Sequence, residues 1–260
     1  QSDFDPSRLD PVAAMLAELH AGSTVRLPTF VAEHRVDQMR AASSALEVVA
    51  PDLSAMVDRL FAGISGAISS ANQELVFIHG DFYAKQILID EDGATFLDFD
   101  QASLGNRHDD IGNFVAHLFR DGVRSQISES RAREAESRFV DAYRTEHPEI
   151  HERILRAYTA AGLLRLAPHP FRFREENWFE QTEAMIGIAE SFLKKTTSRS
   201  SYPEPKVSHP QNGVSRAKRL AVERALDREE MEQRLGDLFA DAGHSRPKLT
   251  DVRLVRNRPG

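Results

Sequence analysis

The sequence has 260 residues, 41% of them hydrophobic, which is enough to bury a substantial core as one large domain or as a domain with smaller pieces. It has no cysteine, which excludes disulfides, thiolate catalysis and cysteine-based metal sites. No apolar run approaches the roughly 18 residues that a membrane helix needs. We therefore expect a soluble, cytoplasmic protein. The formal net charge of -7 argues against general nucleic-acid binding, which needs clustered Lys and Arg, and favours a neutral or cationic small partner.

Two amphipathic helices are predicted in the first 70 residues. Asp10 and Pro11 supply an N-cap and a first-turn proline, apolar residues follow at helical spacing, and Gly22 can end this helix. A second helix begins near Pro51, and its broad apolar face, which extends to Ile68, indicates packing on two sides.

Three short apolar runs then interrupt the helical pattern. They cover residues 75–78, 87–89 and 94–97, and the last two flank the turn cluster 91–93, Glu-Asp-Gly, which suits a hairpin. We therefore expect a few strands within a mainly helical, α+β chain.

The helical period returns after Gly105 and predicts four further helices. Their apolar positions are Ile111, Phe114, Val115 and Leu118; Ala132, Ala135, Phe139 and Tyr143; Ile150, Ile154, Leu155 and Tyr158; and Trp178, Met185, Ile186, Ala189, Phe192 and Leu193.

A change of composition between residues 196 and 215 predicts an exposed linker. This stretch is rich in Ser, Pro, Thr, Asn and Gly and has almost no large apolar side chain. Beyond it we expect a modest helix over 225–240 and a strand over 251–256. The predicted domains are therefore residues 1–195 and the beginning of a second unit over 216–260.

The hairpin brings together residue types that suit a metal site. If residues 91–93 form a three-residue turn, Gln86 faces Asp98 with the two Cβ atoms about 4.5 to 5.5 Å apart. An amide oxygen and a carboxylate at that spacing can share Mg²⁺, which accepts oxygen ligands and keeps several waters for phosphate oxygens. A two-residue loop would instead place Phe99 opposite Gln86.

Asp81 and Lys85 precede this pair on the loop between two strand runs. A phosphoryl-transfer site needs a carboxylate at such a place, to orient an attacking hydroxyl and accept its proton, and Asp81 is the candidate. Lys85 is a candidate catalytic and ATP-binding residue because it could contact phosphate as a point charge. A solvated surface charge is the simpler interpretation of Lys85.

The order of these residues resembles a known family. His79-Gly80-Asp81, then four residues, an amide side chain, an apolar run and Asp98-Phe99 resemble the catalytic and metal loops of the aminoglycoside phosphotransferase and choline kinase family. The likeness continues through Ala-x-x-Gly to Asp110-Ile111-Gly112, and the first helix, which ends in Leu19-His20, resembles the first helix of that family's large lobe. In all it covers roughly residues 8–195.

The resemblance implies the mainly helical large lobe of a protein-kinase-like fold, with its active site at a small β-hairpin. It implies transfer of the γ-phosphoryl group of ATP, with Mg²⁺, to a hydroxyl of a sugar, amino sugar or amino alcohol. The family usually has Asn where this chain has Gln86, although maltokinase-like members carry Gln. The roles that it implies are catalytic base for Asp81, magnesium ligands for Gln86 and Asp98, and support of the catalytic loop for His79 and Asp110.

We expect the family's small lobe to lie outside this sequence. Neither a Gly-rich phosphate loop nor a strand-borne Lys precedes Asp81, and the chain opens at Gln1 with a polar stretch and without Met. We therefore expect no signal peptide, a longer parent protein, and little phosphotransfer by the chain alone. Residues 249–260 resemble the first strand of such a small lobe, which would make the parent a tandem of two units.

Two alternatives remain open at this point. His108-Asp109 also fits a His-Asp metal phosphohydrolase, in which both residues, His79 and a later Asp would bind a divalent metal. The chain could instead be a binding or regulatory module that keeps the kinase-like fold without turnover. The acceptor and the oligomeric state do not follow from the sequence.

Overall fold

The computed structural model describes most of the predicted first domain. The chain separates into two compact units, Gln1–Ser208 and His209–Gly260, and every described residue belongs to the first. The predicted linker over 196–215 and the predicted second domain over 216–260 lie outside the described residues. The described residues are 5–22, 27–71, 74–89 and 94–194.

Helices dominate the described part, which confirms the α+β, mainly helical class. Each of the six helices predicted within the described residues has a counterpart in the structure, as α1, α3, α4, α5, α6 and α8, whereas α2 and the short α7 were not predicted. The helices are α1 (Leu9–Ala21), α2 (Ala32–Val49), α3 (Ser54–Ser69), α4 (Arg107–Val123), α5 (Glu129–Glu146), α6 (Glu152–Leu166), α7 (His169–Arg172) and α8 (Trp178–Lys194).

The start of α1 differs from the prediction. Asp10 does not cap the helix, because α1 already begins at Leu9 and follows a 3₁₀ turn, Pro6–Arg8. Asp5 caps that turn by accepting a hydrogen bond from the Ser7 amide at 2.9 Å. No helix in the described ranges combines the length and apolar character needed to cross a membrane.

The strands form two small groups beside the helices. β5 lies between β1, to which it is parallel, and β2, to which it is antiparallel, while β3 and β4 form an antiparallel hairpin. The three predicted strand runs are confirmed as β2, β3 and β4. The strands are β1 (Thr29–Phe30), β2 (Val76–Ile78), β3 (Ile87–Ile89), β4 (Ala94–Phe96) and β5 (Ser103–Gly105).

The register of the hairpin was predicted wrongly. Ile89 pairs with Ala94, so four residues, 90–93, separate the strands instead of three or two. The ladder continues with a hydrogen bond of 2.9 Å from the Leu97 amide to the Gln86 carbonyl oxygen. Gln86 therefore faces Leu97, and neither Asp98 nor Phe99 lies directly opposite it.

The centre of the fold is the crossing of α4 and α6. Every residue of α4 from Arg107 to Phe119 is buried. Two glycines allow the close approach: a Cβ added at Gly112 would lie 2.7 Å from the Thr159 nitrogen, and one added at Gly162 would lie 2.7 Å from the Ala116 Cβ. This contact fixes the first turns of α4, which face the segment that follows β2.

The Gly112→Ala substitution should destabilise the protein although alanine is the better helix former. The gain in helix propensity is about 1 kcal/mol, but the added methyl group must displace α6 backbone, and overpacking of this kind costs about 1 to 3 kcal/mol. We expect a net loss in the free energy of urea-induced unfolding. The matched control is Gly187→Ala in α8, where an added Cβ meets nothing within 4 Å and stability should rise by about 0.5 to 1 kcal/mol. A rise in both variants would contradict the close packing.

Candidate active site

The carboxylate of Asp110, in the first turn of α4, holds the segment that follows β2. Its Oδ2 accepts a hydrogen bond from the His79 amide at 2.7 Å, and its Oδ1 accepts one from the Gly80 amide at 2.9 Å. Asp110 is 1% exposed, so these donors replace the water that it loses on burial. The backbone immediately before Asp81 is thereby tied to the core.

His20 of α1 completes the surroundings of Asp110. Its Nε2 lies 3.1 Å from Asp110 Oδ2, and its Nδ1 lies 2.6 Å from the Tyr143 hydroxyl oxygen. Burial lowers the pKa of His20, against the opposing effect of Asp110. The neutral ring satisfies both contacts, since Nε2–H donates to the carboxylate while Nδ1 accepts from the hydroxyl.

The segment that follows β2 also contacts residues on both sides of Asp98, next to the hairpin. The buried His79 donates from Nε2 to the Leu97 carbonyl oxygen at 2.7 Å. Gly80 has φ +84°, and a Cβ there would lie 2.2 Å from the Gln101 carbonyl oxygen. Only glycine suits that conformation and that approach, so Leu97 and Gln101 fix the segment beside Asp98.

Gln86 and Asp98 meet although they do not face each other in the ladder. Gln86 Nε2 donates to Asp98 Oδ2 at 3.1 Å. Asp98 follows β4 with φ +60°, a left-handed conformation in which non-glycine residues are uncommon. Gln86 ends the 3₁₀ turn Ala84–Gln86 that precedes β3. The two side chains therefore converge where regular strand geometry has ended on each side.

The donor set at this contact suits magnesium. An amide oxygen and a carboxylate are ligands that Mg²⁺ takes, with waters and substrate phosphates in its other positions. Within the described ranges no three His, Asp or Glu side chains form a cluster able to hold a metal. An ion held by Gln86 and Asp98 would therefore take its remaining ligands from water and from phosphate oxygens.

The structure places Asp81 and Lys85 on the same loop. Asp81 is half-buried and directly follows the two residues that Asp110 holds. Lys85 is exposed in the turn just before Gln86. Apart from Asp110 on α4, the candidate residues that the sequence singled out thus lie along one continuous segment and just beyond the end of β4.

Two residues that contact this loop, and a third that reaches it through one of them, were missed in the sequence. Asn113 donates from Nδ2 to the Phe82 carbonyl oxygen at 3.0 Å, and Arg165 of α6 donates from Nη2 to Asn113 Oδ1. His117 stacks on Tyr83 with the ring centroids 4.3 Å apart. Since Asn113 and His117 follow Asp110 at helical spacing, the polar stripe on α4 was visible in the sequence, whereas Arg165 is too distant to be associated with it.

The alternative metal site around His108 and Asp109 is wrong. Asp109 accepts hydrogen bonds from Arg35 Nε at 2.8 Å and from Nη2 at 2.5 Å. His108 Nδ1 lies 2.7 Å from Asn106 Oδ1, and its Nε2 accepts from the His151 amide at 3.2 Å. Both side chains are occupied by protein partners, so neither is available as a ligand.

Comparison with known proteins shows which family and which solved folds the chain resembles. Residues 2–169 match the sequence profile of the phosphotransferase enzyme family. A solved glucosamine kinase in complex with glucosamine, ADP and inorganic phosphate is 20% identical with a TM-score of 0.57, over 74% of this chain and 56% of that one. A glucosamine kinase in crystal form A is 18% identical with a TM-score of 0.55, over 75% of this chain and 61% of that one.

These identities show a shared fold, and the family resemblance and fold inferred from the sequence are confirmed. The chain spans little more than half the length of these solved structures. No curated protein matches the chain by sequence.

The Gly80→Ala substitution should disrupt the segment before Asp81. A left-handed conformation costs a residue with a Cβ about 1 to 2 kcal/mol, and the contact with the Gln101 carbonyl oxygen forces the backbone apart. We expect a lower free energy of unfolding in urea and faster amide hydrogen exchange over residues 79–83. The control is Gly66→Ala, where an added Cβ meets nothing within 4 Å. It should neither lower the free energy of unfolding nor accelerate amide exchange over residues 79–83. Unchanged exchange in Gly80→Ala would rule out the tight approach.

The stability of the domain should fall as the pH drops below about 6.5. Burial lowers the pKa of His108 to about 3 from 6.5, so the unfolded chain takes up a proton in this window that the folded chain does not. Each such histidine contributes a slope of about 1.4 kcal/mol per pH unit, and His117, whose pKa burial lowers to about 2, acts in the same direction.

In the His108→Gln variant the free energy of unfolding should depend less steeply on pH between pH 6.5 and 5. The slope should be smaller by about 1.4 kcal/mol per pH unit, which corresponds to one proton. Urea unfolding at a series of pH values measures it. An identical slope in both proteins would show that His108 is not held neutral in the fold.

Proposed function

The chain belongs to the phosphotransferase enzyme family, and from that membership we propose that the complete protein transfers the γ-phosphoryl group of ATP to a hydroxyl of a small molecule. The observation that carries this proposal is the contact of Gln86 with Asp98 beside the loop that holds Asp81. The two proposed magnesium ligands and the proposed base therefore lie within one short stretch of the chain. The neighbouring solved kinase is named as a complex with glucosamine and ADP, which supports a sugar, amino sugar or amino alcohol as acceptor.

Asp81 would act on the acceptor. Its carboxylate accepts a hydrogen bond from the acceptor hydroxyl and takes the proton as that oxygen bonds to the γ-phosphorus. The bond from the γ-phosphorus to the bridging oxygen breaks, and ADP leaves with that oxygen. Little other covalent chemistry is needed, so positioning and charge neutralisation supply most of the acceleration.

Gln86 and Asp98 would hold magnesium, and Lys85 would contact the ATP phosphates. Rotation of the Gln86 amide turns its oxygen to the side where its nitrogen now meets Asp98, and the two side chains then offer two oxygen ligands. When bound, the ion neutralises charge on the phosphate oxygens. Asp98 is exposed, so its carboxylate is accessible to a metal–nucleotide complex. His79 and Asp110 would keep the loop in place without touching substrate.

Replacement of Asp81 or Asp98 by Asn should abolish most turnover. Loss of a positioned base costs typically about 10²- to 10⁴-fold in rate, and Asp98→Asn should in addition raise the magnesium concentration needed for half-maximal rate. The measurement is magnesium-dependent ADP formation by the full-length protein across a panel of sugars, amino sugars and amino alcohols. Asp58→Asn, an exposed position on α3, is the matched control and should behave as wild type.

Equal rates in wild type, Asp81→Asn and Asp98→Asn would end the enzymatic proposal for this unit. If wild type binds ATP but turns over no acceptor, the chain is a binding or regulatory module that retains the fold.

A further inference from the structure

Helix α4 holds the loop on both sides of Asp81. On the N-terminal side Asp110 accepts from the Gly80 amide at 2.9 Å. On the C-terminal side Asn113, one turn further along α4, donates to the Phe82 carbonyl oxygen at 3.0 Å. Two adjacent turns of one buried helix therefore fix the peptide groups that flank the proposed base.

The orientation of the Asn113 amide is set by Arg165. An Asn side chain offers a donor on one side and an acceptor on the other, and a flipped amide would turn its oxygen toward the Phe82 carbonyl oxygen, with which it cannot bond. Arg165 Nη2 donates to Asn113 Oδ1, which leaves only Nδ2 to face the loop. The guanidinium thus selects the one amide orientation that holds Phe82.

Arg165 is half-buried, and its partners do not compensate fully for the water that its guanidinium loses. Its Nε is buried without a hydrogen-bond partner among the described residues. Burial, and to a lesser extent nearby Arg35, lower the pKa of Arg165 to about 10, although the carboxylates of Asp81 and Asp109 act in the opposite direction. Asp109 is already engaged by Arg35. A half-buried cation whose Nε is buried and unpaired is weak support for stability, so a role at the loop accounts for it better.

We propose that Arg165 is a positioning residue of the active site, which acts through the Asn113 amide to fix the backbone on the C-terminal side of Asp81. Simple packing of α6 on α4 does not require it, because Gly112 and Gly162 already allow the two helices to touch. The inference rests on the proposed function only in so far as Asp81 is the base. The contact itself can be tested without turnover.

The decisive variant is Asn113→Asp. Its carboxylate keeps an acceptor for Arg165 and replaces the amide donor by an oxygen that repels the Phe82 carbonyl. If Asn113 and Arg165 had only a structural role, the free energy of unfolding would fall as amide exchange in the loop accelerates. The positioning role predicts that amide hydrogen exchange over residues 80–86 accelerates about tenfold or more, while the free energy of unfolding in urea stays at or above that of wild type.

Arg165→Met should loosen the same loop because the Asn113 amide becomes free to flip. The matched control is Arg153→Met, at an exposed position on the same helix, which should leave loop exchange unchanged. In the double variant Asn113→Ala/Arg165→Met the second substitution should add nothing to loop exchange, since Arg165 acts through Asn113. If Arg165→Met does not fold, Arg165→Lys, which keeps a charged donor, should fold and show loop exchange between wild type and Asn113→Asp.

Kinetics of the full-length protein give a second test. Arg165→Met and Asn113→Asp should lower kcat about 10- to 100-fold, because misplacement by about 1 Å has effects of this size, and should leave KM for ATP unchanged. Loop exchange in Asn113→Asp and Arg165→Met equal to that of Arg153→Met would overturn the positioning role. A third outcome is that exchange accelerates in both variants while the wild-type protein turns over no acceptor. That outcome would support the positioning of the loop and contradict the proposed function.

Discussion

The buried carboxylate of Asp110 is the interaction on which the candidate site depends. It accepts two backbone hydrogen bonds from the loop and contacts His20, so α1, α4 and the end of β2 meet at one charged group. Its place in the first turn of α4 is favourable, because the positive end of the helix dipole stabilises an anion there. The position of α4 is in turn fixed by its glycine-mediated crossing with α6. The loop is therefore held in place by the packed helical core.

The contact between Gln86 and Asp98, the proposed magnesium ligands, depends on local backbone conformation more than on strand pairing. The prediction that Gln86 and Asp98 meet came from an assumed register, and that register is wrong by one position. A slip of one residue ordinarily turns a side chain to the other face of a strand. The contact survives because Asp98 has left β4 with φ +60° and Gln86 has not yet entered β3. Divergence from regular geometry is common where a site re-aims a side chain.

Patterns of large apolar residues made most of the fold predictable, and their absence explains what was missed. Helix α2 buries Arg35 and Ser43 together with Ala and a few larger side chains, so it shows no clear apolar stripe. β1 and β5 have two and three residues, too few for a periodic pattern. In the site, the residues close together in sequence were identified, whereas Arg165 lies 52 positions after Asn113 and only the folded chain brings them together.

The first three turns of α4 combine full burial with an unusual number of polar side chains. Asp109, Asp110, Asn113 and His117 are all buried there, although apolar residues in their place would avoid the desolvation penalty. Their partners divide by direction: Asp109 bonds to Arg35 of α2, while Asp110, Asn113 and His117 contact successive residues of one loop. Side chains anchored on a buried helix can hold a loop in one position. Such a polar stripe is therefore better explained by the precision that the proposed phosphoryl transfer would demand of Asp81 than by a contribution to stability.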